Sequence, residues 1–302
     1  MSLPFAECRR ARPWLGTTVA IEAIAGDADL ASRALEAGFA AIRDVHQAMS
    51  FHDPASVLSR INRDAASRPV RVDHHTWRVM RAADALHRAT DGRFDPTVAG
   101  SLVAQGRLPR PEGAPDPVTA ASWNDLDLSR HGWVRMRRPV WIDLGGIAKG
   151  YAVDRAIRAM RRVGAVSSRV NAGGDLRLHT PTAELVHVRD PVQPGRVYRL
   201  GRLGCGAMAT SAPYADDAPP WSGIVDPSGA VLPGDTPSVT VFARRCIWAD
   251  ALTKLVALAP ERAEPVVRRL GALAVVIHHG GHAEVLGTSV APGWALDGQS
   301  AA

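Results

Sequence analysis

Strand-like and helix-like runs follow one another in this chain without a repeating unit, and that irregularity narrows its fold more than any other feature. TTVAIEAIA, from Thr17 to Ala25, reads as a first strand. A long amphipathic helix follows, with Leu30, Leu35, Phe39, Ile42, Val45 and Met49 at helical spacing. MSFHDPASVLSRIN reads as a loop leading into a short helix, with Ser56 as its N-cap. TWRVMRAADALHRAT is a further helix closed by the turn DGRFDP, and the proline cluster of GRLPRPEGAPDPV is the most linker-like piece. Strands then dominate, with GWVRM and VWIDL joined through Arg137, Arg138 and Pro139. After a helix from about Ile147 to Val163 come SSRVNAGGDLRLH, AELVHVRD and RVYRL. PSVTVFAR leads to the helix CIWADALTKLVALA, a second helix beginning PERAEPVVRRLG, and a last strand, LAVVIHH. Hairpins mixed with helices, lacking a regular βα alternation, predict an α+β fold rather than a doubly wound sheet.

At 302 residues the chain can bury a large core. The opening residues lack the apolar run of a secretory signal, and no segment has the roughly 18 apolar residues of a membrane span. The expectation is a cytoplasmic protein without membrane insertion. Cys8, Cys205 and Cys246 form no C-x-x-C pair, which argues against a disulfide framework or a structural zinc site. The formal charge of +6 would suit a polyanion, but the arginines are scattered or paired, never in a run of five. A nucleic-acid partner is therefore not expected.

The cations themselves are uneven. Of 36 Lys and Arg residues, only Lys149 and Lys254 are lysine. An ammonium is a compact point charge, and a guanidinium is a broad planar fork. Lys149 lies in VWIDLGGIAKGYAVD, where a buried strand would end at Asp143 and two glycines lead into a helix. Such glycines let backbone N–H groups approach an anion, with Lys149 on a phosphate and Asp143 accepting from a nucleotide. Taken alone, the segment is equally a tight turn with an exposed lysine, since it is neither a P-loop nor a G-x-G-x-x-G fingerprint. The glycine pair of VNAGGDLRLH marks a bulge or a close approach of another backbone or ligand. In WADALTKLVALA, Asp250 and Lys254 stand one turn apart. They make either a surface ion pair worth ~0.2–0.5 kcal/mol or a site with Asp250 on a divalent cation beside a pyrophosphate. His278, His279 and His282 read more simply as a hairpin around Gly-Gly than as a metal cluster.

Taken in order, LGTTVAIEA, MSFHDPASVLSRIN, GRFDPTVAG, IDLGGIAKGYAVDRA, VNAGGDLRL, ATSAPY, IVDPSG and ADALTKLVAL resemble the ApbE family of FAD:protein FMN transferases. They span Leu15 to roughly Leu258. The resemblance implies mixed, largely antiparallel sheets with packed helices, an ApbE-like (T-fold-like) architecture, in a single domain over 15–290 between flexible termini at 1–14 and 291–302. It implies cleavage of FAD, transfer of FMN to a Thr or Ser of an acceptor flavoprotein, and release of AMP. Leu15, Phe51, Arg93, Phe94, Asp95, Asp143, Lys149 and Ile224 would contact the flavin nucleotide. The Gly146 carbonyl and the Asp250 carboxylate would hold Mg2+. Asn62, Asn171, Thr210 and Ser211 match family positions and are assigned support of the cleft.

Two positions depart from the family pattern. Lys254 stands where the family has a Thr metal ligand, so Thr253 with water would have to complete the shell, or Lys254 would replace part of the metal's charge. Gly223 stands where the family has its presumed catalytic His, leaving His52, Asp216 and Asp217 as candidate bases. Two alternatives follow: an FAD-binding protein without transfer, or a slow FAD pyrophosphatase.

Overall fold

Strands β1 (Ala6–Trp14) and β2 (Thr17–Ala25) pair antiparallel through a two-residue turn at Leu15 and Gly16. The structure is a computed structural model and describes residues 5–193, 195–212, 224–230, 232, 236–279, 281–287 and 294–295. Two compact units emerge: a larger one of Met1–Arg43, Lys149–Ser222 and Pro233–Ala302, and a smaller one of Asp44–Ala148 and Gly223–Leu232.

Residues 6–14, expected in a flexible terminus, form β1 instead. The strand is rich in arginine because it is the edge of its sheet, where charge blocks pairing with another chain. Arg10 and Arg12 both reach Glu36 at 2.6 Å, and Arg12 lies over the Phe39 ring. β2 buries Val19, Ile21, Ala23 and Ala25, every second residue. α1 (Ala28–Met49) buries Leu35, Phe39, Ile42, Val45 and Met49, while Leu30 is half-buried. Each such side chain contributes roughly 1.5–3 kcal/mol on burial.

In the smaller unit, α2 (Val57–Asp64) is capped by Ser56, whose hydroxyl accepts from the Ser59 N–H, as the sequence predicts. β3 (Val70–Arg71) precedes α3 (His74–Ala89), which Asp73 caps. A 3-10 turn at Pro96–Val98 leads into α4 (Ala99–Ala104). β4 (Leu126–Asp127) and β5 (Trp133–Met136) complete a three-stranded sheet of order β3-β5-β4. VWIDL, expected as a strand after β5, joins no sheet. Val140, Trp141, Ile142 and Leu144 are buried, which explains the strand-like sequence. The partner of Ile142, however, is the side chain of Asn62, whose amide receives the Ile142 N–H at 2.9 Å and donates to its carbonyl at 3.0 Å.

α5 (Gly145–Val163) begins in the smaller unit and continues in the larger. Then come β6 (Ser167–Ala172), β7 (Asp175–His179), β8 (Glu184–Arg189), β9 (Val197–Leu203), β10 (Gly206–Ser211) and β11 (Ser238–Ala243). α6 (Cys246–Leu258), α7 (Pro260–Arg269), β12 (Leu273–Ile277), β13 (Ala283–Leu286) and β14 (Trp294–Ala295) follow. The larger unit holds an eight-stranded sheet, β1-β2-β6-β7-β10-β11-β12-β13, with every pairing antiparallel. A second sheet, β14-β9-β8, contributes Val186, Val188, Leu200 and Leu203 to a core shared with Leu176, Met208, Phe242 and Val275 of the large one. The architecture is α+β, as the irregular alternation predicts. Among the described residues, no helix is long and apolar enough to cross a membrane.

Candidate functional site

Within the larger unit, α5 and α6 approach until their backbones touch. A Cβ on Gly150 would overlap the Cys246 carbonyl and lie 2.8 Å from the Asp250 Cβ, so only glycine fits there. One turn along α5, Asp154 accepts from the N–H groups of Cys246 at 2.9 Å and Ile247 at 3.2 Å. It caps α6, whose own N-cap residue supplies no side-chain bond. Burial pushes the Asp154 carboxyl up, against the pull of Arg177 and the two N–H groups. Arg177 on β7 pairs with Asp154 directly.

This crossing sets the position of Asp250, which is fully buried. Its Oδ2 accepts from the Gly150 N–H at 2.9 Å. Its Oδ1 accepts from Lys254, one turn along, and the same ammonium donates to the Asp250 carbonyl at 3.0 Å. Asp175 is 1 % exposed, and its Oδ2 receives Lys149 at 3.1 Å. Burial raises the Asp250 carboxyl, but Lys254 and Lys149 outweigh that and hold it below the usual range. Burial and the charge of Asp250 push Asp175 up to about 6, with Lys149 and Lys254 pulling the other way. Burial works against the charge on Lys149, yet Asp250 and Asp175 raise its pKa. The chain's two lysines thus meet on two carboxylates, a group of four charges that sums to zero. The lysine side chains remain 30 % and 21 % exposed, in contrast to the buried carboxylates they meet.

Asp175 was not among the residues expected at the site. Its signal was the glycine pair before it. Gly173 and Gly174, at φ 60° and 97°, make the two-residue turn of the β6–β7 hairpin rather than a bulge. A Cβ on Gly173 would stand 2.5 Å from the Thr17 hydroxyl, so what approaches closely is a side chain of β2 rather than the expected backbone or ligand. Asn171 accepts from the Gly174 N–H and holds the turn. The turn delivers Asp175 at the first position of β7. Elsewhere in this unit Thr210 bonds Thr240 through their hydroxyls at 2.9 Å, and Ser211 is half-buried. Leu15 adopts φ 58°, a conformation costing a β-carbon-bearing residue roughly 1–2 kcal/mol.

The smaller unit gathers most of the residues expected on the nucleotide. The Asp143 N–H donates to the Pro96 carbonyl at 2.9 Å, bringing IDLGG beside GRFDP. The Asp143 carboxylate accepts from Gly145 at 3.1 Å; burial pushes it up, and His52 and the N–H groups draw it down. His52 is exposed, while Phe51, Phe94 and Ile224 are buried. Arg93 is exposed and acts electrostatically on Asp226 of the IVDPSG segment. Asp95 is committed to its own turn: Oδ1 takes the Thr97 N–H and hydroxyl, and Oδ2 takes the Trp123 N–H. An open groove of about 490 Å³ runs past Asp95, His87, Ser122 and Pro227. Gly146 is half-buried in the first turn of α5. Gly223, Asp216 and Asp217 lie outside the described residues.

A divalent cation does not fit the carboxylate expected to hold it. Magnesium demands a near-octahedral oxygen shell, but both Asp250 oxygens are taken and an ammonium sits on one of them. The Thr253 hydroxyl turns back to the Asp250 carbonyl at 2.8 Å. Among the described residues, no group of three or more His, Cys, Asp or Glu is placed to bind a metal. The three histidines form the expected hairpin, with the His278 N–H on the His282 carbonyl.

The model of the ApbE family matches residues 15–288. The FAD:protein FMN transferase of Vibrio cholerae is 27% identical over 313 residues, covering 93% of this chain and 90% of that protein. The solved flavin transferase ApbE from Vibrio cholerae superposes with a TM-score of 0.78 at 25% identity, covering 93% of this chain and 97% of that one. The ApbE protein from Thermotoga maritima gives a TM-score of 0.78 at 28% identity, covering 93% and 96%.

Proposed function

The chain belongs to the ApbE family, and from that premise we propose that it is an FAD:protein FMN transferase. An acceptor Thr or Ser hydroxyl would attack the flavin-side phosphorus of FAD. The new P–O bond joins FMN to the acceptor, the bridging P–O bond breaks, and AMP leaves with the electron pair. The hydroxyl proton passes to a base. The observation that carries this reading is the convergence of Lys149 and Lys254, both partly exposed, on one buried carboxylate pair. Each ammonium has three N–H donors, more than its carboxylate partner uses, and donors aimed at phosphate oxygens are what phosphoryl transfer depends on.

The residues of the smaller unit, Phe51, Arg93, Phe94, Asp143 and Ile224, are assigned to the flavin nucleotide. His52 is the described candidate for the base, exposed and electrostatically coupled to Asp143. Asp95 would act by holding the GRFDP turn rather than through its filled carboxylate. Mg2+ on Gly146 and Asp250, which the resemblance implies, enters none of these steps, because the Lys254 ammonium on Asp250 Oδ1 would repel a cation at close range. The acceptor is a flavoprotein with a Thr or Ser flavinylation motif.

A second reading, an FAD-binding protein without transfer, is favoured by Gly223 at the position of the family's presumed base. General-base assistance contributes about 10²–10⁴-fold, so its loss is costly. One experiment separates the readings: an acceptor domain, shown to be modified by an active family member, is incubated with this protein and FAD and weighed intact. An FMN-sized adduct with equimolar AMP supports transfer. Bound FAD with neither product overturns it, and AMP without adduct indicates hydrolysis.

A further inference from the structure

We propose that the Lys254 ammonium occupies the seat of a divalent cation at Asp250, so that this chain binds no such cation there. Its role in transfer rests on the function proposed above; the exclusion of the metal rests on geometry alone. Lys254 follows Asp250 by four residues in α6, so its stem runs along the helix and places the ammonium on Oδ1 and on the backbone carbonyl together. The Gly150 N–H holds Oδ2, and that bond depends on the glycine-enforced contact of α5 with α6. The carboxylate therefore has two donors before any ligand arrives. A cation entering would have to displace an ammonium held in a fully buried carboxylate's field, and would meet its repulsion at close range.

The charge count leads to the same place. Asp175 and Asp250 carry two negative charges, which one divalent cation could balance. Here Lys149 and Lys254 balance them instead. An ammonium has three N–H donors. Lys254 directs donors at Asp250 and Lys149 directs one at Asp175, leaving capacity on both for phosphate oxygens. The rarity of lysine in an arginine-rich chain then has a physical cause. The compact ammonium of Lys254 meets the carboxylate and the carbonyl of one preceding residue together, whereas a guanidinium is a broad planar fork.

The test uses the full chain without flavin and Mn2+ as probe, with free Mn2+ read by electron paramagnetic resonance. Wild type should leave Mn2+ free. Lys254→Thr should bind one equivalent at least about tenfold more tightly, about 1.4 kcal/mol, and Asp250→Asn in that background should abolish the binding. If Lys254→Thr does not fold, Lys254→Gln removes the charge with most of the side chain kept and carries the same expectation. One Mn2+ bound by wild type and lost in Asp250→Asn overturns the proposal, as does failure of the folded Lys254 variants to bind. FMN transfer does not enter this readout, so a failed transfer assay leaves the metal result standing.

Discussion

Asp95 in the smaller unit and Asp250 in the larger are both buried carboxylates, with side chains 4% and 0% exposed, yet they are satisfied by different chemistry. Asp95 accepts from donors of its own turn and of Trp123, and the His87 ring stands 3.5 Å from its Oδ2. Asp250 has one backbone N–H and one ammonium, and Asp175 beside it has another ammonium. Neutral donors fix a loop without leaving charge to share. Ammonium groups at the edge of a buried cluster can keep their carboxylate and still attract an anion. Asp125, also in the smaller unit, shows where arginine serves instead. The fork of Arg138 clamps it at 2.8 and 2.9 Å, a planar match that uses both carboxylate oxygens. Arginine closes a site in this protein, and lysine leaves one open.

That contrast can be broken experimentally. The largest effect is expected from Asp250→Ala, which strands Lys254. Stability should fall by about 3 kcal/mol in urea unfolding, the low end for a broken buried pair because the lysine side chain is partly exposed. Asp250→Ala with Lys254→Met should recover most of the loss, since an apolar replacement of both partners is often neutral. Gly150→Ala should cost roughly 1–3 kcal/mol by overpacking α5 against α6, and should weaken FAD binding through the displaced Asp250. In the smaller unit, Asn62→Ala should cost about 1–3 kcal/mol, because the buried Ile142 backbone loses both partners. FAD affinity there should fall only as the fold loosens.

The smallest effect belongs to Asp73→Ala at the cap of α3, about 1 kcal/mol. Burial raises the Asp73 carboxyl, but the Thr76 hydroxyl and the N–H groups of Thr76 and His75 bring it below the ordinary value. A carboxyl depressed in the folded state stabilises above its unfolded pKa of about 3.9 and loses that contribution as pH falls through the folded value. The stability difference between wild type and Asp73→Ala should therefore be full at pH 6 and shrink progressively below about pH 4. A difference constant over that range would show that the charge of Asp73 does no work in the cap.

Much of the architecture was legible because periodic burial leaves a periodic sequence. Thr17–Ala25, the face of α1 and the helix holding Asp250 all followed from spacing. Ser56 was readable because an N-cap is a local device. β1 was not, since an edge strand shows arginine where an inner strand would show valine. VWIDL misled for the opposite reason: it is apolar and buried, but the Asn62 side chain, eighty residues earlier, takes the place of a neighbouring strand. At the site, both lysines stood out by their scarcity, whereas their grouping with Asp175 depended on a tertiary contact that no spacing encodes. The commitment of Asp95 to its own turn could be suspected from the following proline but not separated from ligand binding.

The most direct measurement of the central claim is the intact-mass acceptor assay run with excess EDTA and again with added Mg2+. A cluster neutralised by its own lysines predicts an FMN adduct and AMP formed at the same rate in both. An adduct that vanishes with chelator and returns with Mg2+ would contradict the account.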